Sequence, residues 1–113
     1  MIENYSFGNI TISGRTYNSD IIIYPDGSIQ DSWWRKEGHR LTVEDIKDLL
    51  AARPQIIIVG TGSSGLMLPD KNLETELLKM GIEFKALSSK AACQAFNETY
   101  RNKKTGACFH LTC

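Results

Sequence analysis

The chain has 113 residues, 42% hydrophobic and 23% charged, with thirteen basic against thirteen acidic side chains. That length fits one domain, residues 1–113, able to bury a core without disulfide or metal support. Zero net charge and a pI near 6.7 exclude the basic footprint of a nucleic-acid or anionic-membrane binder, and no run approaches the roughly 20 apolar residues of a membrane span.

The opening residues, Met1 to Gly8, have neither the basic and then apolar order of a signal peptide nor the Arg-rich character of a transit peptide. A cytoplasmic setting is therefore expected, with Cys93, Cys108 and Cys113 as reduced thiols.

The first forty residues read as β-rich. Ile10 and Ile12 alternate with polar neighbours before Gly14 breaks the run. Ile21-Ile22-Ile23-Tyr24 is strongly β-prone. Pro25-Asp26-Gly27 sets a tight turn after it, because Pro fixes one φ and Gly accepts a positive one. Ser28-Ile29-Gln30 is expected to pair back as a hairpin. Asp31 to Arg40 has no helical period and reads as an ordered loop.

From Thr42 the pattern becomes helical. Thr42 is a good N-cap, Glu44 and Asp45 suit the positive end of the helix dipole, and Val43, Ile46, Leu49 and Leu50 form one apolar face. Pro54 ends the helix, and the strand Ile56–Val59 follows at once. A second helix is expected from Pro69-Asp70, with Leu73, Leu77 and Met80 as its buried stripe and Gly81 as its stop. Ile82–Leu87 reads as a strand. A third helix is expected from Ser88 or Ser89 to about Lys104, with Ala92, Ala95, Phe96 and Thr99 on one side. Ala107–Leu111 reads as the last strand. Alternation of this kind implies parallel strands with helical crossovers. The expected fold is thus an α/β, three-layer-type domain with a mixed, mostly parallel central sheet and a β-rich N-terminal part.

Gly60-Thr61-Gly62-Ser63-Ser64-Gly65, directly after Ile56–Val59, spells the G-x-G-x-x-G of dinucleotide-binding folds. Its surroundings do not fit that role. Leu66-Met67-Leu68-Pro69 separates the loop from the next helix start, whereas the pyrophosphate needs helix N–H groups at once. The following strand ends in Ala86-Leu87-Ser88 with no acid for a ribose, and Glu83 stands at its beginning. About 48 residues remain after Gly65, too few for a second nucleotide-binding half. No P-loop Gly-Lys-Ser/Thr is present. No dinucleotide or other cofactor is expected. Two readings stay open: a sharp turn off a buried strand, or a cradle in which backbone N–H groups of Gly60, Thr61, Gly62, Ser63 and Ser64 hold a small anion at the carboxyl end of the sheet.

Asp31, Trp33, Trp34, Arg35 and His39 bring acidic, aromatic, cationic and titratable groups into nine residues. They suit a pocket wall, with Arg35 gripping a carboxylate or phosphate, Trp34 as a platform, and Asp31 or His39 as proton carrier. The alternative is a Trp pair covering the core edge, with the charges in water. On a regular last strand, Cys108, His110 and Thr112 share one face and Phe109, Leu111 and Cys113 the other, so His110 and Cys113 diverge. No ligand spacing for zinc is present, and no metal is expected. Cys93 and Cys108 read as buried thiols.

The segments Trp33-Trp34-Arg35 with Gly38-His39, Pro54 to Gly62, Ala91-Ala92 with Asn97, and His110-Leu111-Thr112-Cys113 together resemble one small family across nearly the whole chain. It includes the adipogenesis-associated domain protein and the mitochondrial respiratory complex I assembly factor 3. The resemblance implies a compact α/β domain with a mixed central sheet, no established enzyme activity, and a role in assembly or protein interaction. The mitochondrial location does not carry over, because no transit peptide is present. The expected function is a protein-interaction or assembly-type binding module with a small-anion site at Gly60–Ser64. A small enzyme on a compact anionic substrate is the alternative, with Arg35 as anchor, the Gly60–Ser63 N–H groups stabilising charge, and Asp31 or His39 moving protons.

Overall fold

The computed structural model describes residues 1–113. Three short strands open the chain: β1 (Ile2–Ser6), β2 (Asn9–Ile12) and β3 (Arg15–Tyr17). They form an antiparallel sheet of their own, in the order β1-β2-β3. Next come β4 (Ile21–Ile23), β5 (Ile29–Gln30) and β6 (Arg40–Leu41). A 3₁₀ turn, Glu44–Ile46, leads into α1 (Lys47–Ala51). The second half runs β7 (Ile56–Thr61), β8 (Leu68–Pro69), α2 (Leu73–Lys79), β9 (Glu83–Leu87), α3 (Ser89–Thr99) and β10 (Thr105–His110).

The central sheet has the order β5-β4-β10-β7-β9. β10 pairs with β7, and β7 with β9, in parallel. β4 pairs antiparallel with both β10 and β5. Parallel and antiparallel pairings are thus equal in number, because the β4–β5 hairpin joins the sheet through β10 while the two helical crossovers supply the parallel strands. The turn at Pro25-Asp26-Gly27 closes that hairpin as expected, with Ile23 opposite Ile29.

The two-residue side-chain period sorts the sheet's apolar residues onto two faces. Ile21, Ile23, Ile56, Ile58, Ala107 and Phe109 pack with α3 and with Ile2, Ile10 and Ile12 of the N-terminal sheet. Ile22, Ile57, Val59 and Cys108 pack on the other side with Trp33, Leu41, Ile46, Leu49, Met67, Leu73 and Leu77. Every residue of β7 and β10 is buried. This explains why those strands read as continuous apolar runs and not as alternating ones.

Four element boundaries differ from the sequence reading. The first helical segment starts as a 3₁₀ turn, although Thr42 and Asp45 still exchange bonds: Thr42 N–H donates to Asp45 Oδ2 (2.9 Å) and Asp45 N–H to Thr42 Oγ1 (3.4 Å). Pro69 does not open α2. It pairs with Leu41 in a short parallel ladder, which delays the helix to Leu73. Met80 lies beyond α2 and is 54% exposed, so only Leu73 and Leu77 form the buried stripe. The third helix also stops early, at Thr99. Asn102 and Lys103 N–H both donate to Thr99 O in the turn that follows.

Candidate functional site

The carboxyl ends of the parallel strands β7, β9 and β10 meet at Thr61, Leu87 and His110, the usual place for ligands in sheets of this kind. The glycine loop leaves β7 there. Gly60 and Thr61 are still inside the strand. A Cβ on Gly60 would lie 2.5 Å from Phe109 Cδ1 and 2.8 Å from Ser89 Oγ, so the absence of a side chain lets α3 close onto the sheet. Gly62 has φ +108°, and a Cβ there would run into the backbone of Cys113.

Of the loop's N–H groups, those of Gly62, Ser63 and Gly65 are used within the chain, and that of Ser64 is not. Gly62 N–H donates to Ser89 Oγ (2.9 Å), Ser63 N–H to Thr112 O (2.6 Å), and Gly65 N–H to Gly62 O (3.2 Å). Thr61 Oγ1 donates to Leu87 O (2.9 Å). Ser89 Oγ, fully buried, also donates to His110 O (2.5 Å). An anion held by Gly62 or Ser63 N–H would have to break these bonds. The geometry is that of a stitched turn joining β7, α3 and the C-terminal residues.

Arg35 is equally occupied. It is buried, with Nη1 donating to Asp20 Oδ2 (2.8 Å) and both Nε and Nη2 directed at Gly38 O (3.3 and 2.9 Å). Its guanidinium lies 4.6 Å from the centre of the Trp33 ring, a cation–π contact. Trp33 in turn donates Nε1–H to Asp45 O (3.0 Å). Arg35 is therefore a structural clamp on its own loop, with all three guanidinium nitrogens bonded within the chain.

The other members of that segment separate. Asp31 is exposed. Trp34 is 77% exposed and lines a different groove, beside Ile22, Gln30, Lys36 and Lys47. His39 is exposed too, but its ring stands edge-on to His110 with centroids 6.0 Å apart. The structure thus gathers Arg35 and His39 near the end of β10 and leaves Asp31 and Trp34 elsewhere.

The centre of the cluster is Asp20, which the sequence reading passed over, together with His110. Asp20 Oδ2 accepts from His110 Nδ1 (2.8 Å) as well as from Arg35, and Asp20 Oδ1 accepts from Leu111 N–H (2.8 Å). Burial acts to raise the Asp20 carboxyl. The hydrogen bonds from His110, Leu111 and Arg35 outweigh it and hold the group below its ordinary value, so Asp20 is ionised at neutral pH. His110 Nδ1 must then carry the proton shared with it. The short approach of Arg35 Nη2 to the same nitrogen (3.1 Å) brings two donors together and is no hydrogen bond in that state. His110 Nε2 is buried and has no partner. A faint signal for this cluster existed in the sequence: an acid directly ahead of the all-apolar β4, and a histidine on the same strand face as the buried Cys108.

A mixed five-stranded sheet, covered on one side by α3 and a small antiparallel sheet and on the other by α1 and α2, defines a layered α/β domain. The chain belongs to the DUF498/DUF598 family, described as proteins of unknown function, whose model matches residues 2–110. It is similar to a conserved hypothetical protein of Pyrococcus horikoshii, at 26% identity and a TM-score of 0.86 over 100% of this chain and 99% of that one. It is also similar to the protein MT938, at 28% identity and a TM-score of 0.83 over 100% and 98%. A Mth938-like domain from Bordetella pertussis shares the fold, at 17% identity and a TM-score of 0.75 over 97% and 84%.

Proposed function

We propose that this chain is a protein-binding module that acts in the cytoplasm, with its contact surface on the segment between β7 and α2. The observation that carries this reading is the exposure of two leucines on that segment, Leu66 at 51% and Leu68 at 64%. Large apolar side chains held in water on an ordered loop are a recognition feature more than a stability feature. Leu68 N–H donates to His39 O (2.9 Å), so the second leucine is fastened beside the His39 loop. The resemblance to the family of the adipogenesis-associated domain protein and complex I assembly factor 3 supports an assembly-type role of the same kind. The three free cysteines suit a reducing compartment. No anion is assigned to the Gly60–Ser64 loop, whose Gly62 and Ser63 donors face the protein.

The test is affinity capture from the native cell with the wild-type chain and with an L66D/L68D double variant, followed by reconstitution of each candidate pair from purified components. The expected result is a partner that binds the wild type and is lost from a variant with an unchanged melting temperature. A partner set shared by both proteins would refute the assignment of this surface.

A further inference from the structure

His110 Nε2 is the one buried side-chain nitrogen or oxygen in the protein without a hydrogen-bond partner. Leaving such a group unpaired costs stability, and an orphan of this kind in a native fold calls for an explanation. Its surroundings are specific. Asp20 accepts a hydrogen bond from His110 Nδ1–H, so a neutral His110 presents Nε2 as a bare lone pair. The arrangement is that of a carboxylate–histidine pair whose outer nitrogen is oriented for use.

The nearest cleft lies beside the neighbouring ring. His39 stands edge-on to His110 and lines a cleft of about 630 Å³ with Arg40, Leu68, Pro69, Asp70, Lys71 and Asn72; His110 is not part of that lining, so Nε2 is reached only when the His39 ring moves. No hydrogen bond holds the exposed His39 ring. The two cations nearest the cleft mouth do not make it an anion site, since Arg40 is bonded to Asp70 (2.5 Å) and paired with Glu37, which leaves Lys71 as the balance.

We propose that His110 Nε2 is a ligand-binding position that accepts a hydrogen bond from a compact hydroxyl- or ammonium-bearing group, which enters through the His39 cleft as the His39 ring turns aside. Binding selects donors and rejects pure acceptors, because a bare lone pair in a low-dielectric site repels an anion's oxygens. The donor can belong to a free small molecule or to a side chain of a docked protein. The site stands on the Asp20–His110 geometry and shares Leu68 but not Leu66 with the partner surface, so L66D separates its failure from that of the partner surface.

The experiment follows the imidazole nitrogens of the full chain, labelled with ¹⁵N-histidine, by NMR during titration with ethanolamine and, separately, with sodium sulfate at matched pH and ionic strength. The free protein is expected to show His110 protonated on Nδ1 and bare on Nε2. Ethanolamine is expected to move the Nε2 resonance saturably, and sulfate to leave it in place. H39W should weaken it at least tenfold by filling the cleft, and L66D, at a position outside the cleft lining, should leave it unchanged. These variants alter exposed positions, so the buried cluster stays intact. A proton found on Nε2, an absent or unsaturable response to ethanolamine, an equal response to sulfate, or indifference to H39W would each overturn the proposal. If the site serves only side chains of a docked protein, ethanolamine still reports it, because the probe carries the same donors.

Discussion

Replacing Asp20 by Asn tests whether the cluster at the end of β10 is a cornerstone of the fold. The carboxylate accepts from three donors, Arg35 Nη1, His110 Nδ1 and Leu111 N–H, each at 2.8 Å. An amide keeps one acceptor oxygen and turns an NH₂ toward groups that are themselves donors. Removing one partner of a buried pair costs about 3–5 kcal/mol. The Arg35 side chain is 5% exposed and that of Asp20 is 17%, which places the loss near the lower end, at about 3 kcal/mol. For a domain of this size that is a fall in melting temperature of roughly 12 °C. Urea and thermal unfolding of D20N, R35M and the double variant measure it, and the double variant should lose about 1–3 kcal/mol less than the sum of the singles. The sign of the pH effect follows from the lowered carboxyl. The unfolded chain takes up protons before the folded one, so this contribution is present above the ordinary value of 3.8 and is lost as pH falls through the lower folded value. D20N should lack that part of the acid limb. A loss below about 1 kcal/mol, or strict additivity of the two substitutions, would refute the coupling.

Other substitutions probe the stitched turn and the core. G62A should cost about 1–3 kcal/mol by urea unfolding, because φ is +108° and the new Cβ meets the Cys113 backbone. S89A removes the acceptor of Gly62 N–H and a donor to His110 O. It should cost about 1–3 kcal/mol and speed hydrogen exchange at Gly62. L77A, which empties a fully buried position, should lose about 2–5 kcal/mol, whereas M80A should stay within about 0.5 kcal/mol. Iodoacetamide at pH 8 should modify the half-buried Cys113 first, as read by mass spectrometry. Burial pushes the Cys93 thiol up to about 12 and also raises the fully enclosed Cys108, so both should react only on unfolding.

The layered α/β fold was legible in residues whose signal is local. Ile21–Ile23, Ile56–Val59 and the run from Ala107 announced buried strands by β-branched and apolar content. Pro25-Asp26-Gly27 announced its hairpin. The site was less legible. Arg35 and His39 belong to the cluster, yet the segment that contains them scatters Asp31 and Trp34 to other surfaces, because an irregular loop has no period from which facing can be read.

By itself the sequence determined which stretches are buried strands, where helices alternate with them, and that one α/β domain results, since hydrophobic period and turn chemistry act over a few residues. Only the tertiary structure decided how the polar groups are used. Asp20, Arg35 and His110 are up to 90 residues apart and meet only when β4 and β10 become neighbours in the sheet. The same packing turns the Gly62 and Ser63 donors inward, toward Ser89 and Thr112. Whether a donor faces a ligand or its own chain depends on such long-range pairing, and no local pattern encodes it.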